Sequence, residues 1–199
     1  MGTKNRIMEE SLKLFLKNGF SDVSLSEIKQ SSNITTGGFY HYFQSKDDLL
    51  IEVIETYIFD YFKSTMLRLR KCTGTPQDKL KIVMLSLIGD AHLSDSVIID
   101  YRTLHMLLME GVKKFKPVSE KYSEFYNSLL DFILEVVEEG IDQGTIRNDI
   151  DPVELATSIE TTMVGNILMG IAMPEIPLKT RVNITIGCIW EFISLNHTA

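Results

Sequence analysis

The stretch TTGGFYHYFQSKDDLL, Thr35 to Leu50, sets two adjacent glycines beside four aromatic residues and a histidine. Each glycine weakens a helix by about 1 kcal/mol relative to alanine, so this placement needs a reason. Just upstream, Ser24-Leu25-Ser26-Glu27 is a capping box opening a short helix with Leu25 and Ile28 as its buried positions. Ser31-Ser32-Asn33 ends that helix, and Asn33 is a residue type that tolerates left-handed backbone. A second short helix starts at Thr35 and runs to about Tyr42, and Ser45 caps a longer one with Asp47 and Asp48 in its first turn.

Two short helices joined by a tight polar turn make a helix-turn-helix, whose second helix enters the major groove of duplex DNA. Close approach there explains Gly37 and Gly38. Thr35 and Thr36 offer hydroxyls and methyls to phosphates and bases. Phe39 and Phe43, four apart, anchor the helix to a core. Tyr40 and His41 fall on another side, within reach of phosphate oxygens, and Lys46 adds a cation beside the backbone amides that Ser45 caps. With Ser24 at the head of the preceding helix, the candidate DNA-contacting set is Ser24, Thr35, Thr36, Gly37, Gly38, Tyr40, His41 and Lys46.

Helical spacing continues on both sides. Ile7, Ser11, Leu14 and Phe15 mark one face of a first helix that Asn18-Gly19 stops. After Ser45 the helix extends to about Lys71; Gly74-Thr75-Pro76 is a break and restart. Further helices are expected at 76–93, about 96–114, 117–142, 152–172 and 178–196, giving an all-α chain of about nine helices. The division expected is a reading domain at 1–48 and a larger domain at 49–199.

Of 199 residues, 44% are hydrophobic and 24% charged, the balance of an ordinary globular protein. No stretch reaches the roughly 18 uninterrupted apolar residues of a membrane span; Met163–Met173 comes nearest and contains Asn166. The N-terminus lacks the apolar core of a signal peptide, so a cytoplasmic location is expected. Cys72 and Cys188 have no metal-binding neighbours and read as small buried residues. The net charge is −7, but residues 1–48 hold six basic and six acidic side chains against 14 and 21 in the rest. A neutral head can approach an anion that an acidic body repels.

GFSDVSLSEIKQSSNITTGGFYHYFQSKDDLL, Gly19 to Leu50, resembles the DNA-binding region of the TetR (tetracycline repressor) family of bacterial transcription regulators. The resemblance rests on G-F, S-x-x-E-I, G-x-F-Y-x-Y-F and S-K-x-x-L-L at these spacings. Three positions depart from the family's commonest pattern. Asn33 stands for the usual turn glycine, Thr36 where Lys or Arg is frequent, and Gly38 where a side chain often touches bases. Direct base readout is thus expected to be sparse, with shape and phosphate contacts carrying more of the specificity.

For residues 49–199 the resemblance implies a ligand-binding and dimerising domain, with the last two helices of each subunit forming a four-helix bundle. The final helix, VNITIGCIWEFISL, is apolar over most of its circumference, as a helix buried in a subunit interface would be. Gly165 and Gly170 permit close helix approach. Met84, Met106, Met109 and Met163 lie on helices that would line the family's central pocket, where flexible thioethers suit a cavity of adaptable shape. His92, His105, Tyr101, Tyr126 and Asn166 add hydrogen-bonding groups, so the candidate ligand set is Met84, His92, Tyr101, His105, Met109, Tyr126, Met163 and Asn166. Core filling is the competing account of the methionines and histidines.

The reading is a regulator, a repressor, that binds a palindromic operator in double-stranded DNA as a homodimer and is released by a small apolar ligand, without metal, cofactor or membrane. Two alternatives stand beside it: a helical protein-protein or ligand-binding module without DNA binding, and an enzyme using the apolar cavity. The sequence contains no HExxH, P-loop or dinucleotide glycine pattern, and Glu110 follows His105 out of phase for shared metal ligation.

Overall fold

The computed structural model describes residues 2–88, 91–94 and 97–195. The chain begins with α1 (Thr3–Asn18), α2 (Leu25–Ser31) and α3 (Thr36–Tyr40). A long unbroken rod follows, made of α4 (Lys46–Val53), a π-helical segment (Ile54–Phe59) and α5 (Asp60–Leu69). Then come α6 (Pro76–Ser86), the strands β1 (Ala91–Ser94) and β2 (Val97–Ile99), α7 (Tyr101–Lys114), α8 (Lys116–Asp142), α9 (Pro152–Ala172) and α10 (Leu178–Ile193). With the rod counted once, the described residues hold nine helices. The all-α expectation stands.

The local signals act as expected. Ser24 and Glu27 close their capping box, and Thr75 and Asp78 form a second at the restart ahead of Pro76. Asn33 takes φ 47°, the left-handed turn between α2 and α3. Asp151 caps α9 by accepting from Val153 N and Glu154 N.

Two boundaries differ. The helix expected over 76–93 ends at Ser86, the one expected from about 96 begins only at Tyr101, and an antiparallel hairpin pairs Ala91 with Ile99 and His92 with Ile98. The β-branched run Val97-Ile98-Ile99 is stiff at χ1 and favours a strand. Helix restarts only where Asp100 caps α7, its carboxylate accepting from Arg102 N and Thr103 N.

Two compact units result, one from residues 1–63 and 90–123, the other from 64–89 and 124–199. Residues 1–48 lie wholly inside the first. Its core joins Ile7, Leu12 and Phe15 of α1 to Ile28, Phe39 and Phe43 and to Leu49, Leu50 and Val53 of the rod, all at most 1% exposed. α7 packs on the π-helical segment so closely that a Cβ on Gly111 would collide with Ile54 Cδ1. In the second unit α10 packs on α6 and α9. The chain's end is tied to the α8–α9 loop by Arg147 N donating to Ile193 O (2.8 Å) and Leu195 N to Thr145 O (3.2 Å).

α9 is, by length and composition, apolar enough to cross a membrane. Its Leu155, Ile159, Met163 and Ile167 are nonetheless buried, as in a core helix, and it packs on α10. Cys72 is half-buried and Cys188 exposed, so the small-core reading fails for Cys188.

Candidate nucleic-acid interface

α3 owes its position to its neighbours. Five residues, two of them glycine, cannot sustain a helix alone. Thr35 caps it, its hydroxyl accepting from Gly38 N at 3.1 Å. Phe39 buries completely, tilted on Phe43 at 5.7 Å between ring centroids. These two contacts hold a helix whose other side faces out: Thr36, Gly37, Tyr40 (55% exposed) and His41.

Gly37 separates function from packing. A Cβ built there meets nothing within 4 Å, and its backbone is not left-handed. Neither fold nor conformation asks for glycine there. At Gly38 a Cβ would press on the Thr35 hydroxyl at 3.3 Å, so there the cap itself favours glycine.

The other expected contact residues have tasks inside the protein. Ser24 is exposed, but its hydroxyl completes the box with Glu27 by donating to Oε2 (2.7 Å) and accepting from Glu27 N (3.2 Å). The Ser24 hydroxyl and, at 2.7 Å, the Ser24 backbone N–H both donate to that carboxylate and hold it below its usual range. Lys46 donates to Phe20 O (2.8 Å) and Val23 O (2.7 Å) and lies 4.2 Å from the Phe20 ring centroid. Its ammonium thus ties α4 to the turn after α1.

Sequence reasoning missed one cation. Lys29, in the last turn of α2, donates to Thr36 Oγ1 at 2.9 Å and so brings positive charge to the first turn of α3. The recognition helix lacks its own Lys or Arg, and α2 supplies one across the turn. The pair lies on two helices with a turn between them, so no spacing within one helix reveals it.

The ligand candidates fall in both units. Tyr101, His105 and Met109 belong to the first, and Met84, Tyr126, Met163 and Asn166 to the second. Of His92 only the backbone, in β1, lies within the described residues; its side chain lies outside them. Met84 and Met163 are fully buried, Tyr126 half-buried. Met84 lines a small cleft with Leu80, Ile159, Ile186 and Trp190. Asn166, 6% exposed, accepts from Thr185 Oγ1 at 3.3 Å. On α7 the set divides: Tyr101 and His105 are buried, whereas Met109 is 40% exposed and lines, with Met106, an outer groove against the end of α1.

His105 lies 2.6 Å, through Nδ1, from the Tyr101 carbonyl. A carbonyl only accepts, so Nδ1 carries the proton and Nε2 is a bare acceptor without a hydrogen-bond partner among the described residues. Burial pushes the imidazole below its ordinary value, and the bond to Tyr101 opposes that only in part. The sign follows. Above about pH 6.5 both folded and unfolded states are neutral here. Below it the unfolded state takes up the proton first, so stability falls until the folded pKa is passed. His105→Leu should flatten the pH dependence of denaturant unfolding below about 6.5, by at most about 1.4 kcal/mol per pH unit. Equal slopes in the two proteins would mean that His105 titrates as in water.

Comparison with known proteins agrees with this geometry. Residues 7–53 match the family model of bacterial regulatory proteins, tetR family, and residues 98–170 match a tetracyclin repressor-like C-terminal domain. The HTH-type transcriptional repressor KstR2 of Rhodococcus jostii (strain RHA1) is 25% identical over 160 residues, 78% of this chain and 72% of that protein. Among solved structures, a transcriptional regulator from Saccharomonospora viridis in complex with choline gives a TM-score of 0.78 at 17% identity, over 96% of this chain and 97% of that one. FadR from Bacillus subtilis in complex with stearoyl-CoA gives 0.67 at 17% identity, over 93% and 96%. At such identities the likeness to these structures is one of fold.

Proposed function

The chain belongs to the tetR family of bacterial regulatory proteins, and from that premise we propose a cytoplasmic homodimeric repressor that reads an inverted repeat and releases it when a small apolar ligand binds. Residues 1–48 read DNA, and residues 49–199 bind ligand and dimerise. The observation that carries the reading is Gly37: an exposed helix surface kept bare where the fold would accept a side chain, flanked by Tyr40, His41 and the Lys29–Thr36 pair. A major-groove helix needs that clearance.

Relatives of this fold are found with choline and with stearoyl-CoA, so the fold admits dissimilar molecules. Buried Met84, Met163 and Asn166, all in the second unit, suit a mainly apolar molecule with one polar group. Release requires that this molecule favour one conformation over the other. The family is one of regulators, and we assign no catalytic role to the buried polar groups.

The test is selection of bound duplexes from a random double-stranded library by the full chain. An inverted repeat should be enriched. No enrichment by folded dimer, repeated after unfolding and refolding to strip any bound ligand, would refute DNA reading. With the recovered operator, Tyr40→Phe should lower affinity roughly thirtyfold on every duplex alike, as expected for one phosphate hydrogen bond lost in each subunit. Lys29→Met should make the salt dependence shallower by about two units of slope, one from each subunit. A change confined to particular base pairs would instead place these groups on bases.

A further inference from the structure

Glu110 joins two places 90 residues apart in the chain. Its Oε1 accepts from Ser21 Oγ at 2.6 Å and its Oε2 from Phe20 N at 3.2 Å. α1 ends at Asn18, and Gly19, at φ 80°, turns the chain sharply away from it. Phe20 N lies beyond that end, and a local cap would have served it as well. A carboxylate on α7 serves it instead, and so ties the turn to α7.

The same turn is held from its other side. Lys46, the first residue of α4, donates to Phe20 O and Val23 O, five positions after the His41 that ends α3. Lys114, one helical turn beyond Glu110, brings its ammonium 4.6 Å from the Phe20 ring centroid and 3.4 Å from Ser21 Oγ. Phe20 itself is buried edge-on against Phe15. α7 has little freedom to slide here, because Gly111 sits so close to Ile54 and Val118 that a Cβ would meet both. A fixed helix therefore grips the amide side of the Phe20–Val23 turn, and the residue leading out of the reading head grips its carbonyl side.

We infer that Glu110 is a positioning residue for DNA reading: it anchors the Phe20–Ser21 turn to α7, and thereby fixes the direction in which α3 is presented and the half-site spacing the dimer accepts. The inference rests on the dimeric reading proposed above. Glu110 touches no DNA in this role. Its loss leaves each α3 able to read its half-site but lets the two heads settle at other separations.

The experiment uses the full chain and duplexes carrying the selected inverted repeat with its central spacer lengthened or shortened by one and two base pairs. Wild type should bind its own spacer far better than its neighbours. In Glu110→Ala that preference should fall at least about tenfold, the weight of one hydrogen bond to a charged group, while affinity for a single half-site stays unchanged. Glu110→Gln, which keeps one acceptor oxygen in place, should fall between. Ser21→Ala removes the shorter bond at an exposed position and should relax the preference in the same direction even if Glu110→Ala lowers the melting temperature. Weakening by the same factor on every spacer and on the half-site would overturn the inference by making Glu110 merely structural. An unchanged spacer profile would overturn it too, while leaving dimeric reading intact. A wild type that enriches no duplex at all removes the dimeric reading and this inference together.

Discussion

A chain carrying both Leu168→Glu and Ile184→Glu is expected to run as a folded monomer and to bind the operator about 10²- to 10⁴-fold more weakly than wild type. The two residues are 59% and 63% exposed, which two large apolar side chains on adjacent helices rarely are without a partner surface. Asn166 and Thr185 are hydrogen-bonded between α9 and α10, and Leu168 on the one helix and Ile184 on the other both stand out from the protomer. Gly165 and Gly187, with nothing within 4 Å of a Cβ on either, keep the same side low. Phe192 on α10, 58% exposed, extends the apolar surface. The buried residues Val182, Ile186 and Ile193 use the opposite side of α10, so glutamates at 168 and 184 leave the protomer's own core untouched. Charges trapped between two copies would go unpaired and break the association. Linked half-site binding then becomes two separate events. Sedimentation and circular dichroism decide it: a dimer that persists with both glutamates in place would move the subunit interface elsewhere.

The second large effect is Phe39→Ala, expected to destabilise the reading head by about 3–5 kcal/mol and abolish operator binding. Phe39 is wholly buried, stacked at a tilt on Phe43 and edge-on to Tyr40 at 5.4 Å. Its helix has five residues, one capping hydroxyl and two glycines, so no local propensity compensates for the lost anchor. Denaturant unfolding followed at the head's aromatics should show the loss, while far-ultraviolet ellipticity keeps most of the helix signal. Tyr40→Phe at the next position is the control, since it leaves the core alone. Equal stability of Phe39→Ala and wild type would mean that α3 is held by something other than this ring.

The reading head was legible because its information is local. A capping box at Ser24–Glu27, a left-handed Asn33 and the Ser45 cap each act within four residues, and each is where the spacing put it. The hairpin was less legible: three β-branched residues are a brief signal inside a chain otherwise helical in period. The π-helical segment has no sequence signature at all. Least legible were the long-range polar ties. Glu110 to Phe20, Lys46 to Val23 and Lys29 to Thr36 join residues whose proximity exists only once the chain has folded. Lys46 illustrates that blindness, since nothing about a lysine after a serine cap shows that it also clamps a turn more than twenty residues upstream. The ligand candidates suffered similarly, because a methionine's spacing does not say whether it faces inward like Met84 or outward like Met109.

The rod's wide winding at Ile54–Phe59 has a bearing on how such a gene can change. An i→i+5 turn uses more chain than an i→i+4 turn to cover the same arc, so this stretch holds a residue of slack. Loss of one codon here lets the segment close into ordinary α winding, with Leu49 and Leu50 before it and Phe62 and Leu69 beyond it still turned toward their cores. The same deletion a few residues to either side would rotate everything downstream by about 100° and carry those side chains into water. The rod thus has one place where its length can be edited and many where it cannot.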